Sequence, residues 1–193
     1  MAKFIDMHEA AALVKDNDSL LIGGFGAFNC PDALFYALGE RYKAEQHPKG
    51  ITLYANLCSG GFGYEEAGMN RIAYDGLVDT IVAGHFTGAR KLADKIITNE
   101  ISAFALPLGV ITHLFRASAG KKPGIITHVG LHTYADPRLE ACCVNERAAN
   151  SGRKVVELMQ IGGKDYLFYH SFYGNVCFIR GTYADEDGNI SNE

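Results

Sequence analysis

The sequence is poor in the features that announce whole classes of protein. Basic residues stand no more than two together, as at Lys121-Lys122, and the 193 residues carry a formal net charge of −4. A surface that tracks a phosphate backbone needs a broader basic stripe, so no nucleic-acid partner is expected. No apolar run approaches the ~18 residues of a membrane span. Asp6 and Glu9 break up the segment where a signal peptide would carry its apolar core. The five cysteines, Cys30, Cys58, Cys142, Cys143 and Cys177, are odd in number and form no C-x-x-C pair. That pattern favours neither a disulfide framework nor a zinc ribbon; reduced thiols in a cytoplasmic protein are the expectation. Low-complexity tracts, linkers and internal repeats are also missing.

What remains is ordinary globular composition, 48% hydrophobic and 21% charged, in a length that suits one domain with a real core. Asp6-Met7-His8-Glu9 has the form of a capping box and predicts a first helix running into the apolar residues 10–14. Short strands are expected at 20–22, 51–56, 78–84 and 101–107. Helices are expected at 32–42, with Pro31 at the first turn, and at 88–98 and 110–119. Strands alternating with helices of about ten residues imply βαβ crossovers and a mostly parallel sheet with helices on both faces. After Pro137 the pattern changes: residues 155–161, the turn 162–165 and residues 166–172 read as an antiparallel hairpin, and 175–185 adds a further strand. The fold class is α/β with an antiparallel hairpin appendage.

Two glycine loops punctuate this pattern, "GGFGAFN" from Gly23 to Asn29 and "CSGGFG" from Cys58 to Gly63. The first is one residue short of the GxGxxG dinucleotide fingerprint. A nucleotide fold would also place a carboxylate at the end of the second strand to hold the ribose, and that strand ends Tyr54-Ala55-Asn56. NAD binding is therefore a weak reading. A ligand-free tight turn suits one such loop better than two, because both follow parallel strands and so reach the carboxyl edge of the sheet, where open α/β folds bind ligands.

The segment 16–31, D-N-x-x-L-L-I-G-G-F-x-x-x-x-x-P, resembles the first signature of the family I coenzyme A transferases. "GLVDTIVAGHFTGARKLADKI", "PLGVITHLFRASAGKKPGIITHVGLHTYADPR" and "FIRGTYADEDGNIS" are similar to parts of the acetate- and propionate-type short-chain enzymes, and the likeness runs along the whole chain. It implies that residues 1–193 are the first, alpha-type half of a two-half enzyme. It further implies that a glutamate on the second half attacks the acyl-CoA and forms a glutamyl-CoA intermediate. No catalytic residue and no metal ligand is then assigned here. No cofactor is permanently bound, because the coenzyme A thioester is itself a substrate. The implied partners are an acyl-CoA, a short-chain carboxylate, and a second half or another copy of the chain. The cleft residues on this reading are Gly23, Gly24, Phe25, Gly26, Asn29, Leu108 and Gly109. The glycines let the backbone approach the thioester, and the N–H groups of the following helix start suit an anionic acyl group.

Three positions depart from the family pattern. Asn29 stands where the signature has glycine, although asparagine tolerates a left-handed backbone. Leu108 replaces a glutamine whose amide is thought to line the acyl site, and losing one oxyanion donor costs ~3 kcal/mol of transition-state stabilisation. Residues 139–143 replace a glycine-rich stretch. A catalytically weak paralogue acting in assembly or regulation is thus the second reading, and a nucleotide-dependent oxidoreductase a third. Of the remaining candidates, His128 and His132 read as loop residues rather than zinc ligands. Cys142-Cys143 read as buried thiols, Asp185-Glu186-Asp187-Gly188 as a turn, and the aromatics at 166–173 as core or interface.

Overall fold

The structure is a computed structural model and describes residues 2–192, so Met1 and Glu193, the ends of the expected 1–193 unit, lie outside the described residues. The capping box forms as expected: Asp6 Oδ1 accepts from the His8 and Glu9 N–H groups at 2.8 Å, and Glu9 Oε2 accepts from the Asp6 N–H at 3.2 Å. The helix it starts, α1 (Met7–Ala11), is shorter than the sequence suggested.

Five strands make one parallel sheet: β1 (Ser19–Ile22), β2 (Ile51–Ala55), β3 (Val78–Ala83), β4 (Ser102–Ala105) and β8 (Val176–Phe178), in the order β4-β3-β2-β1-β8. Alternation decides which face each residue joins. Leu20, Ile22, Leu53, Ile81 and Ala103 point into a core with α1, α2 (Asp32–Glu45), the 3-10 turn Met69–Ile72 and α3 (Arg90–Ile97). Leu21, Tyr54, Val82 and Phe104 point the other way, into a second core under α4 (Leu108–Ala119).

That second face is closed by an antiparallel sheet of β5 (Gly124–Thr127), β7 (Lys164–His170) and β6 (Val156–Ile161), in the order β5-β7-β6. The expected hairpin is therefore three-stranded. Its first strand escapes sequence reading because Pro123-Gly124 resembles loop punctuation. Gly124 instead serves close strand packing: a Cβ there would lie 2.1 Å from the Tyr169 carbonyl oxygen. Phe172 stacks on Tyr54 at 4.3 Å and meets Phe115 edge-on at 5.0 Å, which ties this sheet to β2 and α4; offset and edge-on pairs of this kind add to simple burial.

A second difference concerns residues 175–185. They do not extend the appendage. β8 joins the parallel sheet beside β1, and a separate small hairpin follows, β9 (Tyr183–Ala184) and β10 (Ile190–Ser191), closed by the expected turn around Asp185 and Gly188. A short helix, α5 (Glu146–Ala149), packs on β4. No helix among the described residues is long and apolar enough to cross a membrane.

Candidate functional site

Because all five strands of the main sheet run parallel, the loops after β1, β2, β3, β4 and β8 emerge at one edge. The connection leaves β1 toward β2 on one side, while β8 enters on the other. This is the switch point at which open α/β sheets place their ligand crevice.

At that point Gly23 donates its N–H to the Phe178 carbonyl at 2.9 Å, and a Cβ on Gly23 would lie 2.7 Å from Ile179. Gly24 has φ 108° and Gly26 φ 60°, in the region that favours glycine. Between them the chain folds into a tiny hairpin, with Phe25 and Phe28 exchanging backbone hydrogen bonds of 3.0 Å. Asn29 adopts φ 55°, the left-handed conformation expected of it. A nucleotide loop would run from its glycines straight into the helix; here the hairpin and Asn29-Cys30 intervene before α2. Asp32, the first residue of α2, is tied across the fold. The Asp32 carboxylate accepts from the Gly68 N–H at 2.5 Å and pairs with Arg71 at 2.9 Å, which holds its pKa below the ordinary carboxylate value. Among the described residues no side chain caps α2, and the carboxylate beside its start is already paired with Arg71.

The second glycine loop packs backbone against backbone. A Cβ on Gly60 would lie 2.2 Å from the Gly88 carbonyl oxygen, and one on Gly88 would lie 2.2 Å from that of Cys58. The loop carries Phe62, at φ 58° and largely exposed, back toward the first loop, with its ring 3.9 Å from where a Gly26 Cβ would stand. Phe25, Phe28, Phe62 and Tyr64 are all exposed, giving this edge an aromatic fringe.

Leu108 is the first residue of α4 and lies at the same edge, 39% exposed. Its side chain rests over Gly84, the residue after β3, and close to Asn56, the residue after β2. Asn56 is held in turn by the Thr112 hydroxyl, which donates to its Oδ1 at 3.3 Å. Gly109, the next residue of α4, faces open space, with nothing within 4 Å of a Cβ. The structure thus brings Gly23, Gly24, Phe25, Gly26, Asn29, Leu108 and Gly109 to one edge. It does not bring them into one cluster, because β1 and β4 are three strand spacings apart, roughly 14 Å. Asn56, Phe62 and His85 stand on the loops between, and sequence reasoning missed them. Their signal was position alone: each follows a parallel strand.

The edge also carries two glutamates. Glu66 is bound by Lys91, which lowers its pKa. Glu65 folds against Gly61 and Gly63 and makes no side-chain hydrogen bond or ion pair among the described residues. Burial pushes the Cys58 and Cys142 thiols up to about 12 and raises those of Cys30, Cys143 and Cys177, which favours the thiol over the thiolate. No cluster of His, Cys, Asp or Glu able to hold a metal ion occurs among the described residues. His128 and His132 are exposed loop residues, and the turn they flank is organised by Asp136. This buried carboxylate accepts from the His132 and Arg138 N–H groups at 2.9 and 3.0 Å and from the Arg138 guanidinium at 2.7 Å. Beyond it, residues 141–144 line the edge of β4, through Ala105 N–H to Cys142 O and Val144 N–H to Ala103 O.

A five-stranded parallel sheet, with one glycine loop at its switch point and a second after the next strand, defines an α/β protein of the open, wound-sheet class. The coenzyme A transferase profile matches residues 4–193, and the chain belongs to that family. It is 38% identical to the caffeate CoA-transferase of Acetobacterium woodii over 193 residues, which is all of this chain and 36% of that protein. The crystal structure of the acyl-CoA transferase YdiF apoenzyme from Escherichia coli O157:H7 superposes with a TM-score of 0.91 at 29% identity, covering 98% of this chain and 36% of that one. A probable coenzyme A transferase subunit alpha of Bacillus subtilis is 25% identical over 98% of this chain and 72% of its own length. The chain therefore spans about a third of the first two of these proteins. Over the shared segment its fold is that of the YdiF apoenzyme.

Proposed function

We propose that this chain is the first half of an enzyme that moves coenzyme A between a short-chain acyl-CoA and a carboxylate such as acetate or propionate. The observation that carries the reading is the convergence of the β1, β2, β3 and β4 loops on one edge in a chain that matches the family throughout. On this reading a second half covers that edge and supplies the glutamate that becomes glutamyl-CoA. The chain's own part is to hold the acyl-CoA: backbone at Gly23, Gly24 and Gly26 approaches the thioester, and Leu108 and Gly109 border the acyl group. Coenzyme A is substrate, and no resident cofactor is required. The aromatic fringe fits burial against the second half or another copy, and the free thiols fit a cytoplasmic setting.

The test is a transfer assay with propionyl-CoA and acetate, run on the chain alone and with a complementing second half, followed by hydroxylamine or borohydride trapping. Transfer only in the presence of the second half, with the adduct on that half, is expected. An adduct on Glu65 or any other glutamate of this chain would overturn the assignment. Leu108, whose side chain has no hydrogen to donate, favours the second reading, an assembly or regulatory protein with weak catalysis; no transfer with the second half present would count for it.

A further inference from the structure

One residue round α4 from Leu108, a cavity of about 380 Å³ opens between the first turns of that helix and β5. Its size falls in the roughly 300–1,000 Å³ range of small-molecule pockets. Val110, Ile125, Ile126 and Val129 form its apolar walls, and Gly109 stands at its border with the sheet edge. Apart from the adjoining residues and its own helix, nothing approaches within 4 Å of a Gly109 Cβ, so that position faces open space. Ile126 and Val129 are 48% and 45% exposed, apolar surface that an occupant would take from water. Of the two polar groups in the wall, the Thr127 hydroxyl already accepts from the Val129 N–H at 3.2 Å, and His113 has no partner among the described residues. No carboxylate, lysine or arginine lines the cavity. Arg116 and Lys122 line an adjoining smaller cavity that shares His113 and Ile125 with it.

We propose that this cavity is an acyl-tail subsite. It takes the apolar end of a neutral acyl group of about four or more carbons, straight-chain or aryl, with the carbonyl end lying toward Leu108. The inference rests on the CoA-transfer reading and deepens it, since it names the class of acyl group. A second carboxylate, as in a short dicarboxylic acid, would be carried among aliphatic walls with no lysine or arginine and with His113 as the one unpartnered polar group, at a desolvation cost that disfavours binding.

The chain, labelled at its isoleucine, leucine and valine methyl groups, is titrated with acetate, butyrate, hexanoate, trans-cinnamate and succinate and followed by NMR. Hexanoate and cinnamate are expected to shift the methyls of Val110, Ile125, Ile126 and Val129 saturably. Affinity should rise about fourfold per methylene from butyrate to hexanoate, and acetate and succinate should leave these methyls unmoved. Gly109→Val, which puts a side chain at the border, should weaken hexanoate about tenfold with the rest of the spectrum retained. Absence of these shifts, an equal response to succinate, or an undiminished response in Gly109→Val would overturn the subsite. The transfer assay separates the two ideas. Binding here without transfer to any acyl-CoA in the presence of the second half would overturn the enzyme reading and with it the acyl-CoA as occupant. Transfer without shifts would overturn the cavity alone.

Discussion

Leu108 lies on Gly84: a Cβ added to that glycine would stand 2.5 Å from Leu108 Cδ2, 2.9 Å from its Cγ and 3.1 Å from the Asn56 carbonyl oxygen. The contact joins the first residue of α4 to the ends of β2 and β3, so the position of this side chain depends on the absence of another. Gly84→Ala is expected to displace Leu108 and to cost about 1 kcal/mol, because the half-exposed leucine can move but the Asn56 backbone cannot. Adding Leu108→Ala should restore most of that loss. Urea unfolding of the two variants and their combination measures the coupling; strict additivity would show that the two residues do not press on each other.

Not every glycine at this edge is equally constrained. At Gly60 a Cβ would lie 2.2 Å from the Gly88 carbonyl oxygen, whereas at Gly109 it would meet nothing within 4 Å. Gly60→Ala should destabilise the chain by about 3 kcal/mol or prevent its folding, since backbone must move. Gly109→Ala should be neutral or stabilising by up to about 1 kcal/mol, because alanine favours the helix. Thermal unfolding of the pair reads the difference. Similar midpoints would contradict the packing described.

Leu108→Gln addresses chemistry rather than stability. In the complemented enzyme the new amide should raise turnover on acetyl-CoA by roughly two orders of magnitude, the effect of one oxyanion donor. The gain should fall more in kcat than in KM, since the bond is made mainly in the transition state. The gain should extend to hexanoyl-CoA, because the donor meets the carbonyl whatever the length of the tail. No change on either substrate would remove Leu108 from the reacting carbonyl's surroundings.

Asp136 sets an acid limit. Its hydrogen bonds to Arg138 hold the folded-state pKa well below the ordinary carboxylate value. A depressed carboxylate contributes stability in full above its unfolded pKa of about 4, and loses it as pH falls toward the folded value. Asp136→Asn should therefore cost about 2–3 kcal/mol at neutral pH through its weakened hydrogen bonds to the guanidinium. The gap from wild type should close as pH is lowered below about 4. Urea midpoints of both proteins along a pH series give the comparison; a constant gap would mean that the charge is not what matters.

The capping box at Asp6, the four strands of the βαβ run and both glycine loops were legible because each depends on local chemistry or on alternation. The left-handed backbone at Asn29 was legible for the same reason. What escaped was pairing between distant segments. Val176-Cys177-Phe178 has the same apolar pattern whether it joins an antiparallel appendage or a parallel sheet, and only its partner, β1, decides. α4 begins at Leu108, two residues before the start expected at 110. The family likeness pointed to Leu108 as a cleft residue, but neither it nor the spacing revealed that Asn56 is tethered by Thr112 or that Asp32 pairs with Arg71, since both are contacts across the fold.

The place of β8 beside β1 also sets an order of events at the ribosome. Leu20 pairs with Val176 and Ile22 with Phe178, so one side of β1 has no partner until more than 150 further residues have been added, as the Ser19–Asn175 contact spans 156 positions. At translation rates of about 5–20 residues per second that interval lasts roughly ten to thirty seconds. Throughout it the strand that leads into the first glycine loop is a bare edge, open to the wrong neighbour. Closing so long a loop is slow compared with local βαβ assembly. The crevice at the switch point is thus the last part of the sheet to take shape, and nascent chains are most exposed to mispairing there.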